Sequence, residues 1–145
     1  LITDMRETLH AHGGIGLAAP QVNVPHRLAI IEIEGSETRY DDATDHPFTV
    51  YINPVLRPQP GPVAGYWEGC LSIPGMRGYV ERPQHLVVDY LDADGVARNI
   101  EARGFLATVF QHEFDHLDGT LYIDRLADTR LLAFEDEYAQ FLEDT

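Results

Sequence analysis

The sequence predicts an α+β domain in which antiparallel sheets pack around a central helix that carries histidines, with a further helix at the C-terminal end. Three observations carry that prediction. Runs of alternating or β-branched character fill the middle of the chain, whereas helical spacing is confined to its ends and to the residues after 104. Asp92-Ala93-Asp94-Gly95 separates two such runs and reads as a tight hairpin. The stretch Gln111-His112-Glu113-Phe114-Asp115-His116-Leu117-Asp118-Gly119 lies among Phe105, Leu106, Val109, Phe110 and Leu117 at the period of a helix.

Taken in order, Ile2, Met5 and Leu9 fall at helical spacing and predict a short helix that stops at Gly13-Gly14. Gly14 to Gln21 (GIGLAAPQ) is too small and apolar for a solvent loop, and its glycines allow something to approach the backbone closely. It lacks the Lys-Ser/Thr of a phosphate loop and the strand and third glycine of a dinucleotide fingerprint. His26 to Glu34 reads as a strand, Gly35 to Pro47 as an acidic surface loop, and Phe48 to Leu56 as a second strand that the prolines 54, 58, 60 and 62 bring to an end. Gly65 to Ile73 is expected to be extended, and Leu86–Leu91 with Val96–Glu101 to form the hairpin arms. Asp118-Gly119 should close the histidine helix, Leu121 to Ile123 should add a short extended piece, and a last amphipathic helix should use Leu131, Phe134 or Glu135, Tyr138, Phe141 and Leu142, capped by Asp128 or Thr129.

At 145 residues and 44% hydrophobic content the chain suits a single domain, expected over 1–145. With Asp plus Glu at 24 against Lys plus Arg at 10, the net charge of −14 repels phosphate backbones and anionic membranes, so neither nucleic acid nor lipid is an expected partner. No apolar run reaches the ~18 residues of a membrane span, and the first residues lack the basic-then-apolar layout of a secretion signal, so a cytoplasmic protein is expected. The single cysteine, Cys70, forms no internal disulfide and is a reduced core residue, a ligand or a nucleophile. Position 1 is Leu rather than Met, which suggests that the numbering starts inside a longer chain.

On a helix, His112 and His116 emerge on one face and can grip one ion, while Glu113 sits roughly 60° from His116, beside the pair but pointing past it. This is the H-E-x-x-H pattern, in which two imidazoles hold a divalent metal and the glutamate handles protons. Asp115 and Asp118 are read as solvated carboxylates near a helix end, with orientation of an imidazole as the alternative. A catalytic metal usually has three protein ligands, and the candidates for the third are Cys70, Glu135 and Glu137. With a carboxylate the site would suit a zinc endopeptidase; with the thiolate it would suit Zn(II), Fe(II), Co(II) or Ni(II).

Gly14-Ile15-Gly16-Leu17-Ala18-Ala19-Pro20-Gln21, Glu68-Gly69-Cys70-Leu71-Ser72 and His112-Glu113-Phe114-Asp115-His116 together resemble, in order, the three motifs of the bacterial-type peptide deformylases. The resemblance implies removal of the N-formyl group from the formyl-methionine of nascent chains, with release of formate. It implies Cys70, His112 and His116 as metal ligands, Glu113 as proton carrier, and the Gln21 side-chain amide with the Leu71 backbone N–H as oxyanion donors. It implies Fe(II) as the native ion, replaceable by Ni(II), Co(II) or Zn(II), and work near the ribosome exit. Ile15 and Val109 are expected to line the methionine slot, Gly14 to Gly16 to take the peptide as an added strand, and Arg77 to neighbour its path. For Arg77 the alternative is a solvated surface charge, for Val109 plain core, and Glu68 and Ser72 are expected to support the ligands. The family also has an N-terminal segment that this chain lacks.

Overall fold

The computed structural model describes residues 1–35 and 45–143. Helix α1 (Ile2–His12) ends where Gly13 adopts a left-handed conformation at φ 67°, and its buried Met5 and Leu9 lie against Leu17, Ile30 and Val50. The chain then forms β1 (Gly16–Ala18), a 3-10 turn over Ala19–Val22, and β2 (Leu28–Ile33), which pairs antiparallel with β1. Most of the expected loop lies outside the described residues, and its last part is strand, because β3 (His46–Pro58) begins at His46 rather than Phe48. Nor does Pro54 end it. The register shifts between Ile52 and Val55, Asn53 takes φ 50°, and the bulge accommodates the proline without a ladder hydrogen bond.

After β4 (Val63–Cys70), a turn at Leu71–Ser72 leads directly into β5 (Ile73–Pro83), with Cys70 opposite Ile73. The segment expected to be extended through Ile73 is therefore a hairpin, and Cys70 is its last residue before the turn rather than a mid-strand position. The Asp92–Gly95 hairpin joins β6 (His85–Leu91) to β7 (Ala97–Arg103). Helix α2 (Phe105–Asp115) follows at once, and His116–Asp118 tightens into a 3-10 turn stopped by Gly119 at φ 74°. The expected extended piece at Leu121–Ile123 is instead part of a 3-10 turn over Tyr122–Arg125. Asp128 caps, but only a 3-10 turn over Thr129–Leu131; β8 (Leu132–Phe134) intervenes before the last helix, α3 (Glu135–Phe141).

Two antiparallel sheets result, in the orders β1-β2-β3-β6-β7 and β4-β5-β8. Helix α2 touches β1 and β7 of the larger sheet and β5 of the smaller. Its Phe105, Ala107, Val109, Phe110 and Phe114 share a core with Ile31, Tyr51, Leu86 and Val88. Burying one such side chain contributes on the order of 2 kcal/mol, so this apolar stripe fixes which face of α2 is left for His112 and His116. Among the described residues, no helix is long and apolar enough to cross a membrane.

Candidate active site and metal centre

Residues from β1, the β4–β5 hairpin and α2 border a cavity of about 890 Å³. Cys70 arrives from the end of β4, while His112 and His116 arrive from successive turns at the end of α2. Their donor atoms lie within 4.8 Å of one another, with Cys70 Sγ 3.4 Å from His116 Nε2. Metal bonds of about 2.1 Å to nitrogen and 2.3 Å to sulfur place tetrahedral donors roughly 3.4–3.6 Å apart, so the three residues fit a divalent ion. A thiolate with two imidazoles is the donor chemistry of zinc and the late divalent transition metals.

The ring of His112 is aimed by a buried carboxylate: its Nδ1 lies 2.8 Å from Glu68 Oε1, which leaves Nε2 free for the cavity side. Glu68 is held in turn by Arg82, through Nε at 2.8 Å and Nη2 at 3.0 Å. The remaining arm of Arg82 donates to Asp115 at 2.9 Å, and Arg125 closes the chain on the same carboxylate. Burial opposes ionisation of the Cys70 thiol, yet hydrogen bonds from His112 and His116 outweigh it and pull the thiol down to about 5. Burial likewise opposes a charged His112, and the Cys70 and Glu68 hydrogen bonds outweigh that and push it up to about 10. The pocket thus favours a thiolate next to positive charge, the role a bound cation takes when it displaces the imidazole proton.

Glu113 is 5% exposed and its Oε2 has no hydrogen-bond partner among the described residues. Burial raises its pKa, against the pull of the two imidazoles, toward the range in which a carboxylate can both take and return a proton. Gly16 explains how β1 closes over it: a Cβ there would sit 2.7 Å from the Glu113 carboxyl. Gln21 hangs from the 3-10 turn after β1. Its Oε1 accepts from the Ala18 N–H at 2.9 Å, which fixes the amide orientation, so its NH2 group faces Ser72 Oγ at 3.0 Å and Cys70 Sγ at 3.5 Å.

The family model for polypeptide deformylase matches residues 1–131. The chain belongs to the polypeptide deformylase family. A peptide deformylase of Leptospira biflexa is 43% identical over 137 residues, covering 94% of this chain and 76% of the relative. Peptide deformylase 1 of Nitrosomonas europaea is 48% identical over 136 residues, covering 94% and 77%. A Met-Ala-Ser-bound class I type b peptide deformylase from Acinetobacter baumannii superposes with a TM-score of 0.81 at 36% identity, covering 86% of this chain and 79% of that one. The antiparallel α+β fold is that of the family, and the chain is a metal-dependent hydrolase that removes the N-formyl group from the N-terminal formyl-methionine of newly synthesised proteins.

Among the other residues expected in the deformylase site, Gly14, Ile15, Gly16, Leu71, Arg77 and Val109 all border the cavity. Arg77 is not a solvated charge: its side chain is 14% exposed and pairs with Glu135. That pairing also removes Glu135 from the list of third ligands, and Glu137 is exposed on α3. Asp115 is a correction as well, since it is buried between Arg82 and Arg125, whereas Asp118 is exposed and pairs with Arg27. Arg82 and Thr108 were missed by sequence reasoning. The signal for Arg82 was present in alternation: Gly78, Val80, Arg82 and Gln84 are the buried positions of one strand face, and a charge among them implies a partner.

Proposed function

We propose that deformylation is carried out on one catalytic domain over 1–145, by Cys70, His112 and His116 as ligands of a divalent metal, Glu113 as proton carrier, and the Gln21 amide and Leu71 N–H as oxyanion donors. The observation that most supports this reading is the meeting of three soft and borderline donors from distant parts of the chain beside a buried, partly unpartnered carboxylate. A divalent ion bound there supplies Lewis acidity and lowers the pKa of water toward neutrality. Glu113 takes the proton from the attacking water and returns it to the departing amine. Gln21, its carbonyl oxygen occupied by Ala18, keeps an N–H for the developing oxyanion, and a carboxylate at this position would cost at least about a hundredfold in rate. Ile15 and Val109 form the slot for the methionine side chain, Gly14 to Gly16 offer backbone to the peptide, and Arg77, steadied by Glu135, flanks its path.

Fe(II) is the proposed ion in the cell, with Zn(II), Ni(II) and Co(II) as substitutes; the substrate is met near the ribosome exit, in the cytoplasm. Formate release from formyl-Met-Ala-Ser, with the acetylated peptide as control, tests reaction and specificity together. E113Q should lower turnover by about two to four orders of magnitude while retaining metal, and unchanged turnover would remove this base from the mechanism. Metal analysis of anaerobically purified protein, with activity after exchange, tests the ion; full activity only with Zn(II) would count against iron.

A further inference from the structure

We infer that Thr108 tunes the methionine slot, by offering its hydroxyl proton to a soft acceptor at the end of the substrate's first side chain. This rests on the reading above that Ile15 and Val109 form that slot. Thr108 is 3% exposed, lies one turn before His112 on α2, and borders the same cavity as Ile15, Phe105 and Val109. Its oxygen is 3.0 Å from Gln84 Nε2. A third group decides which of the two donates. The same Gln84 nitrogen lies 3.0 Å from the backbone carbonyl of Arg82, which can only accept, so this atom is the amide NH2 and it donates to both. Thr108 is therefore the acceptor in its contact with Gln84, and its own proton remains unspent. The hydroxyl makes no second hydrogen bond among the described residues.

Gln84 is itself fixed, 7% exposed, with its N–H on the Pro62 carbonyl and its carbonyl receiving the Gly104 N–H. The amide cannot turn to relieve Thr108. A donor left unmet in a wall bordered by Ile15, Phe105 and Val109 is a cost that a ligand can remove if it brings an acceptor. A thioether sulfur is a weak acceptor and a hydroxyl rotates freely toward it, whereas an alkyl side chain of equal length offers nothing. The slot built here thus distinguishes methionine from norleucine by more than shape.

The test is the ratio of kcat/KM for formyl-Met-Ala-Ser over formyl-norleucyl-Ala-Ser with the metal-loaded enzyme. A preference of about three- to tenfold for methionine is expected in the wild type, the range of one neutral hydrogen bond. Thr108→Val, equal in shape and lacking the hydroxyl, should bring the ratio near one, and Thr108→Ser should keep it. A wild-type ratio near one overturns the inference without any variant, and so does a ratio that survives Thr108→Val. Val109→Trp separates the two levels of the argument. If it raises KM for both peptides while Thr108→Val leaves the ratio intact, only the role of Thr108 fails; if it raises KM for neither, the slot itself lies elsewhere.

Discussion

Two arginine–glutamate–histidine triads with the same connectivity occur in this molecule, one buried and one at the surface. Arg82 grips Glu68 through Nε and Nη2, and Glu68 also holds His112; Arg6 grips Glu32 through the same two nitrogens, and Glu32 also holds His10. The side chains of Arg82 and Glu68 are each 4% exposed, against 45% for Arg6 and 16% for Glu32. The surface triad clips α1 to β2, where water competes for every bond. The buried triad has no competing water, so its members depend on one another, and it ends on a residue that aims at the metal cavity. Connectivity alone therefore does not set the value of an ion pair; burial and what lies at its end do.

The sharpest way to break the comparison is to remove the arginine from each triad. Arg82→Ala strands Glu68 and part of Asp115 without solvent, and should cost about 3–5 kcal/mol by urea denaturation. A loss under about 1 kcal/mol would mean that water enters and the two triads are alike. Next in size is Glu68→Gln, which keeps the volume but removes the charge that orients His112. Metal affinity should fall roughly 10- to 100-fold in a chelator competition, and an unchanged affinity would deny Glu68 that function.

Which of these features could be read from sequence follows from how local their causes are. The α2 motif was legible because both histidines and their apolar stripe lie within one helix, and the Asp92–Gly95 hairpin because its turn chemistry is contiguous. Asp115 was misread as solvated because its partners, Arg82 and Arg125, stand on a strand and a turn whose placement no local pattern shows. Strand β5 was missed because Pro74, Gly75 and Gly78 look like turn residues. Yet Gly78 is small because Tyr122 and Leu126 pack on it, a Cβ there lying 2.9 Å from the Tyr122 ring. The C-terminal helix was expected too early for a related reason: β8 spends Leu132 to Phe134 pairing with Met76 to Gly78, a long-range choice that outweighs helical spacing. The three ligand positions, by contrast, were nameable through the ordered motifs, although nothing local to Cys70 places it beside a helix more than forty residues later.

The smallest expected effects belong to the surface triad. Arg6→Ala should cost less than about 1 kcal/mol and leave deformylation untouched, with the difference shrinking in about 1 M salt. Glu32 adds a dependence on pH. The hydrogen bond from Arg6, with a smaller one from His10, holds its carboxyl below the usual carboxylate range. A carboxylate with a depressed folded-state pKa contributes stability that is fully present above its unfolded value of about 4.3 and is lost as pH falls through the folded one. The stability difference between wild type and Glu32→Gln should therefore stay flat from neutral pH down to about 5. Below that it should narrow, and it should vanish once the folded-state carboxylate is protonated. If the two proteins instead lose stability in parallel through the acid range, the Arg6–Glu32 pair contributes nothing to holding α1 on the sheet, and the apolar contacts of Met5 and Leu9 do so alone.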